Sequence, residues 1–264
     1  MLEKFSMDNV KEPIVNYNPV TRQYIYEDPE EKGQLAYERC VEIPWIRNSI
    51  KQAISLIESK DLHTTVKAKK LFSFRRNHKY SIFDFGCNKA KYLSQAKEKY
   101  DIKTFGLDLK KPAKNFVDKF FYGEFNDKLG KRVQKKAPFD ICTAISSIEH
   151  AGYRLKTQSL IDAYQNKILK FLLDLSTFTF ISVPFGKRPG WSNDRSRENL
   201  YQFDEVMIKN IKSYVKDKKK KSFVEYYKFD ANHWFKVDIG EVNNTVYRDN
   251  KGGAGAIALI SIYP

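Results

Sequence analysis

The chain has 264 residues, enough for one substantial core, and no Pro-, Gly- or Ser-rich linker divides it, so a single domain with extensions is expected. Its formal net charge of +15 suits an anionic partner (a phosphorylated metabolite, a nucleotide-linked sugar or RNA), yet the excess is mostly lysine scattered through helical patterns. No stretch approaches the roughly 18 apolar residues of a membrane span, Met1 to Pro13 lacks an apolar leader core, and Cys40, Cys87 and Cys142 form no C-x-x-C pair; a soluble, cytoplasmic protein without a disulfide scaffold or zinc site is expected.

In chain order, residues 1–77 precede the first core strand and read as a helical N-terminal extension or cap. They contain Glu42-Ile-Pro-Trp-Ile46 and then an amphipathic helix from about Arg47 to Ser59, with Ile50, Ala53, Ile54 and Ile57 on one face. Residues 78–264 alternate strands with helices, which argues a mostly parallel sheet wrapped on both faces, with ligands at the strand C-terminal ends. The first strand is the apolar run Ile82 to Phe85. Gly86 turns the backbone sharply, Lys89 to Lys99 has the composition of a crossover helix, and a second strand near Thr104 to Leu107 ends in Asp108.

That unit of strand, glycine turn, helix, strand and acid is how a Rossmann-type sheet holds an adenosine. Asp108 stands near the ~20-residue offset at which a carboxylate accepts hydrogen bonds from ribose hydroxyls. The turn is not G-x-G-x-x-G, because Asn88 and Ala90 occupy the later glycine positions. A pyrophosphate needs bare backbone amides at a helix N-terminus, whereas a cofactor without phosphates needs one close approach. Cys87 reads as a small residue in this turn.

A third, short strand near Lys119 to Tyr122 ends in Tyr122-Gly-Glu-Phe-Asn-Asp127, and a fourth near Phe139 to Ala144 emerges into Ser146, Ser147, Glu149 and His150. The serines can approach a ligand closely and donate hydrogen bonds. A neutral imidazole at His150 suits removal of a proton from an acceptor hydroxyl, with Glu149 able to hold the ring. The fifth strand, near Thr177 to Val183, leads into a long basic and aromatic insertion at about 185–203, read as a lid. There Lys187, Arg188, Arg195 and Arg197 could clamp an anion and Trp191 could close over it. Tyr153 and Arg154 border the same rim. The lysine run from Lys216 to Lys221 reads as a solvated loop. Two strand-like tail runs, Tyr226 to Ile239 and Ala256 to Tyr263, are expected to close the sheet as an antiparallel hairpin without an intervening helix.

At Asp84-Phe-Gly86-Cys-Asn88-Lys-Ala90 the chain resembles class I S-adenosylmethionine-dependent methyltransferases, whose first motif is an acid followed by a Gly-x-Gly-x-Gly turn with frequent small substitutions. Glu149-His150, Pro184-Phe-Gly-Lys187, Gln202-Phe-Asp204 and Glu42-Ile-Pro-Trp45 are similar to segments of members from bacterial surface-polysaccharide gene clusters. The resemblance implies a Rossmann-like, seven-stranded sheet whose terminal strand is inserted antiparallel beside the fifth. It implies S-adenosyl-L-methionine as cofactor and S-adenosyl-L-homocysteine as product, held by Asp84, Gly86, Cys87, Asn88, Asp108, Leu109, Ser146 and Ser147. Glu124 would meet the adenine amino group and Phe125 its ring, with Asp127 as the competing acid. His150 and Glu149 would be catalytic, and Tyr153, Arg154, Lys187, Arg188, Trp191 and Gln202 would bind substrate. Some relatives use Glu-x-x-Glu-His to hold a divalent metal; Ser146 replaces the first glutamate here, so no metal is expected.

The expected reaction is methyl transfer to a small anionic metabolite, as O-methylation of a phosphorylated, phosphoramidate or nucleotide-linked precursor of a capsule polysaccharide. The alternatives are a nucleic-acid methyltransferase and a Rossmann-fold binding protein without catalysis. Neither an aromatic RNA-binding signature in residues 1–77 nor an Asn/Asp-Pro-Pro-aromatic motif after the fourth strand supports the first. Retention of both Gly86 and Asp108 speaks against the second.

Overall fold

Continuous apolar runs form strands buried on both faces, and the computed structural model arranges them into one sheet. It describes residues 9–11, 16–18, 23–25, 38–59, 78–87, 91–111, 117–152, 154–155, 157–187, 202–230, 233–246 and 254–264. The first elements are β1 (Asn9–Lys11), β2 (Asn16–Asn18), β3 (Gln23–Ile25), α1 (Arg39–Glu58), β4 (Tyr80–Phe85), α2 (Lys91–Lys99), β5 (Ile102–Asp108) and β6 (Lys119–Tyr122). They are followed by α3 (Asp127–Gln134), β7 (Phe139–Ile145), a 3-10 turn (Ile148–His150), α4 (Gln158–Leu175), β8 (Ser176–Pro184) and α5 (Glu205–Asp217). The chain closes with β9 (Lys221–Asp230), β10 (His233–Val237), α6 (Ile239–Val242) and β11 (Ala256–Tyr263).

The sheet runs β6-β5-β4-β7-β8-β11-β9-β10-β1. Strands β4 to β8 pair in parallel, and β11 is antiparallel to both β8 and β9. The last strand therefore lies between β8, the fifth strand of the parallel set, and its hairpin partner, the placement that the class I resemblance implies. Alternate residues of each strand feed two cores. Phe83, Phe105, Leu107, Phe139 and Ile181 face α3, α4 and α5, where they meet Leu129, Ile168, Leu172, Met207 and Ile211. Ile82, Ile102, Ile141, Phe180 and Leu259 face α1 and α2, meeting Val41, Trp45, Ile50, Ile54 and Leu93.

Three expectations are corrected. Among the described residues the sheet has nine strands and not seven, because the run Tyr226 to Ile239 divides into β9 and β10 and β1 pairs antiparallel with β10. The N-terminal region carries β1 and the β2–β3 pair besides its helix, so it is not helical throughout. A short helix, α6, stands between the tail strands where none was expected.

Helix α1 also begins at Arg39, eight residues before the expected Arg47. Pro44 lies inside this helix, where a proline removes one hydrogen bond to the preceding turn. Burial overrides it: Val41 and Ile46 are fully buried and Trp45 meets the Phe180 ring edge-on at 6.1 Å between centroids. Seating an indole of that size contributes about 3–5 kcal/mol, comparable to or larger than the penalty of about 3 kcal/mol for a helical proline.

Candidate active site

The C-terminal ends of β4, β5, β6 and β7 open onto a cleft of about 480 Å³. Phe85, Gly86, Asp108, Leu109, Glu124, Phe125, Ser146, Ser147 and His150 all line it, together with Arg39, Lys110 and Tyr164. Most of these residues lie at or just after the end of a parallel strand, while Arg39 opens the helix laid against the strands and Tyr164 reaches in from α4.

Gly86 turns the chain with φ +76°, a left-handed conformation, and a Cβ at this position would collide with the Ser147 Cβ. Its amide and that of Cys87 both donate to the Leu107 carbonyl, at 2.8 and 3.2 Å, which holds the turn over the end of β5. Asp108 terminates β5 and accepts the Lys110 amide at 2.8 Å. Phe125 is packed against Phe171 with ring centroids 4.8 Å apart, and its carbonyl accepts the Tyr164 hydroxyl, so the loop after β6 is fixed where it meets the cleft. Asp127, the competing acid, opens α3, pairs with Lys167 at 2.6 Å and does not line the cleft.

Ser146 is a non-glycine residue at φ +40°, a strained conformation of the kind that clusters at functional sites. Its amide bonds the Ser182 carbonyl and hydroxyl, both at 3.1 Å, and its own hydroxyl donates to Glu42 Oε1 at 2.6 Å. The Ser147 hydroxyl donates to the Phe85 carbonyl at 2.8 Å, tying the tips of β7 and β4.

Beneath the cleft lie residues that the sequence placed within it. Asp84 is buried, its Oδ1 accepting the Thr143 hydroxyl at 2.8 Å. Burial pushes its pKa up to about 7; hydrogen bonds from Thr143 and Tyr92 oppose the rise, and the Asp108 charge adds to it. Cys87 is buried against Gly106, and burial raises its thiol out of the reactive range. Glu149 is buried too, and desolvation holds its carboxyl well above the usual carboxylate range, with the Glu42 charge adding and Arg39 opposing. Its Oε2 has no hydrogen-bond partner among the described residues. Oε1 stands 3.9 Å from the Nε2 of the half-exposed His150 imidazole, beyond hydrogen-bond reach.

The insertion is only partly described. Lys187 is exposed, its amide held by the Thr245 carbonyl at 2.9 Å, and it does not line the cleft. Gln202 is buried and donates to the Phe185 carbonyl at 3.4 Å, while Phe185 and Phe203 form a bridge that joins the two ends of the insertion. Arg154 is exposed outside the cleft lining. Asn88, Tyr153, Arg188, Trp191, Arg195 and Arg197 lie outside the described residues. Among the described residues no cluster of three or more His, Cys, Asp or Glu side chains is arranged to hold a metal, and no helix is long and apolar enough to cross a membrane.

Arg39, Lys110 and Tyr164 line the cleft without having been assigned to it from sequence, and Glu42, fully buried beside Arg39, was likewise unassigned. Arg39 Nη1 donates to Glu42 Oε2 at 2.6 Å and, more weakly, to the Ile145 carbonyl at 3.5 Å. The one signal for this pair was the acid of Glu42-Ile-Pro-Trp45, a charge beside residues that are otherwise apolar.

No family model matches the chain, and no curated protein does. Among solved structures it is similar to a SAM-dependent methyltransferase from Archaeoglobus fulgidus, at 12% identity over 77% of this chain and 94% of that one, with a TM-score of 0.40. It is also similar to 1,6-didemethyltoxoflavin-N1-methyltransferase of Burkholderia thailandensis, crystallised with 1,6-didemethyltoxoflavin and S-adenosylhomocysteine, at 12% identity over 94% and 98% of the chains and a TM-score of 0.39. A third is an O-methyltransferase family protein of the same species, at 11% identity over 86% and 63%, with a TM-score of 0.38. Likeness at this level carries no weight for ligand or reaction, which rest on the strand order and the cleft.

Proposed function

We propose that the chain is an S-adenosyl-L-methionine-dependent methyltransferase acting on a small anionic metabolite. The observation that carries the reading is the cleft itself: a left-handed glycine turn after β4 faces a carboxylate at the tip of β5, in a sheet whose last strand is inserted antiparallel beside the fifth. The residues present fit the cofactor. Asp108 would take the ribose hydroxyls, Glu124 and Phe125 the adenine, and Gly86, Ser146 and Ser147 the amino-acid portion. When bound, the cofactor supplies an electrophilic methyl on a sulfonium.

The chain's own residues would do the rest. The cleft walls align the acceptor for in-line attack, and the half-exposed imidazole of His150, at the β7 end, would take the proton from an acceptor hydroxyl. The acceptor we favour is a phosphorylated, phosphoramidate or nucleotide-linked precursor in capsule polysaccharide synthesis, methylated in the cytoplasm, a choice supported by the basic balance of the chain and by the Glu149-His150 resemblance. Calorimetry with S-adenosylhomocysteine, with NAD as comparison, tests the cofactor, and a screen of phosphorylated metabolites with labelled S-adenosylmethionine tests the acceptor. Binding of NAD in its place would refute the reading.

A further inference from the structure

We infer that Arg39, at the start of α1, is an oxyanion-binding residue of the cleft and that Glu42 is the residue that positions it. The inference rests on the cofactor reading above and names the group that would recognise a carboxylate or phosphate within the same site.

The geometry is asymmetric. Glu42 is completely buried, whereas the Arg39 side chain is 37% exposed and lines the cleft. The covered partner is the carboxylate, and the exposed side of the pair is the guanidinium that faces the cleft. Both hydrogen bonds of the guanidinium leave from Nη1, to Glu42 Oε2 and to the Ile145 carbonyl, so the rest of its five-donor fork is not used among the described residues. The other Glu42 oxygen is held by the Ser146 hydroxyl at 2.6 Å, which fixes the carboxylate at both ends and places the guanidinium against the tip of β7. A planar fork fixed along one edge is prepared to bind a carboxylate or phosphate with what remains.

The surroundings favour an anion there. Asp108 and Glu124 line the same cleft from β5 and β6, where hydroxyl and amino donors would be met, and Arg39 approaches it from β7. Glu149 stands close enough to interact with Arg39, and burial pushes its carboxyl well above the usual carboxylate range, which weakens its repulsion of an incoming oxyanion. The two sources of that oxyanion are the carboxylate of the cofactor's amino-acid end and an anionic group of the acceptor.

Titration calorimetry separates them. S-adenosylhomocysteine and 5′-methylthioadenosine, which lacks the amino-acid end, are titrated into the wild-type chain and into Arg39→Ala, Arg39→Lys and Glu42→Gln; inorganic phosphate is titrated into the same proteins. If the cofactor's carboxylate is the ligand, Arg39→Ala loses about tenfold or more in affinity for S-adenosylhomocysteine while methylthioadenosine stays within about twofold. If the acceptor's anion is the ligand, both nucleosides are unaffected and phosphate binding is lost. Arg39→Lys keeps the charge without the fork and gives a smaller loss in the same arm; it also carries the test if the alanine variant does not fold. Glu42→Gln shifts the same ratio, and combining it with Arg39→Ala adds nothing further, since the glutamate acts through the guanidinium. Wild-type affinities for all three probes in folded Arg39→Ala overturn the inference. Failure of the wild type to bind either nucleoside overturns the methyltransferase reading instead, and the phosphate arm then still decides Arg39.

Discussion

Replacing Asp84 with asparagine should stabilise the ligand-free protein, and the gain should grow with pH. Asp84 is buried in β4, and burial raises its pKa from the ordinary 3.8 to about 7. A carboxyl whose folded-state pKa lies above its unfolded value binds its proton more tightly when folded. The associated stability is complete at low pH, declines as pH rises above about 4, and is lost once pH passes about 7. One pKa unit corresponds to about 1.4 kcal/mol, so between pH 5 and pH 8 the wild type should lose about 3 kcal/mol from this group alone. Asparagine carries no charge and can still accept the Thr143 hydroxyl through its own oxygen. At about 2 °C per kcal/mol for a chain of this length, the difference in melting temperature between variant and wild type should widen by about 6 °C over that range and level off above pH 8. The comparison cancels titration of Glu149, which both proteins share. A difference that stays constant from pH 5 to pH 8.5 would refute the reasoning. On the proposed function the same ionisation favours a cationic ligand, so S-adenosylmethionine should bind the wild type more tightly as pH rises through 7, and Asp84→Asn should remove that dependence.

Gly86→Ala should cost about 2 kcal/mol or more in stability and at least tenfold in cofactor affinity, since it forces a side chain into a left-handed turn and onto the Ser147 Cβ; thermal melting and calorimetry together check it. Asp108→Ala should weaken S-adenosylhomocysteine by about 10- to 100-fold, the loss of one or two hydrogen bonds to a charged acceptor, and unchanged affinity would remove Asp108 from the ribose position. His150→Ala should lower kcat by about 10²- to 10⁴-fold with cofactor affinity intact, and should abolish the decline in rate on the acid side; a fall below about fivefold would leave alignment as the catalytic device. Activity should survive a chelator, since Ser146 stands where the first glutamate of a Glu-x-x-Glu-His metal set would be; loss that a divalent ion reverses would recast Glu149 and His150 as ligands.

Much of this architecture was legible because parallel strands announce themselves as unbroken apolar runs and because the residue after each run falls at one edge of the sheet. Gly86, Asp108, Glu124, Ser146 and His150 needed no three-dimensional knowledge beyond that rule. Strand alternation then decides depth, which the runs alone did not give: Asp84 lies within β4 and Cys87 turns against Gly106, so both sit below the cleft wall. Gln202 was assigned to substrate by the resemblance, and in the structure its amide donates to the Phe185 carbonyl. The strand β1 escaped because a short pairing at a sheet edge has no local signature.

The start of α1 escaped for a different reason, and it is the part that matters for the site. Pro44 disfavours a helix locally, while the contacts that outweigh it reach residues more than a hundred positions away, as with Glu42 and Ser146. Ser146 shows how firmly the two are joined. A residue with a side chain at φ +40° costs about 1–2 kcal/mol that glycine would avoid. Glycine there, however, would leave one oxygen of a fully buried carboxylate without its hydroxyl donor, a loss of about 1–3 kcal/mol or more for a charged group. The two costs are of similar size, so relieving the backbone would gain little stability. What the hydroxyl preserves is the position of Glu42 and, through it, the guanidinium of Arg39 at the mouth of β7.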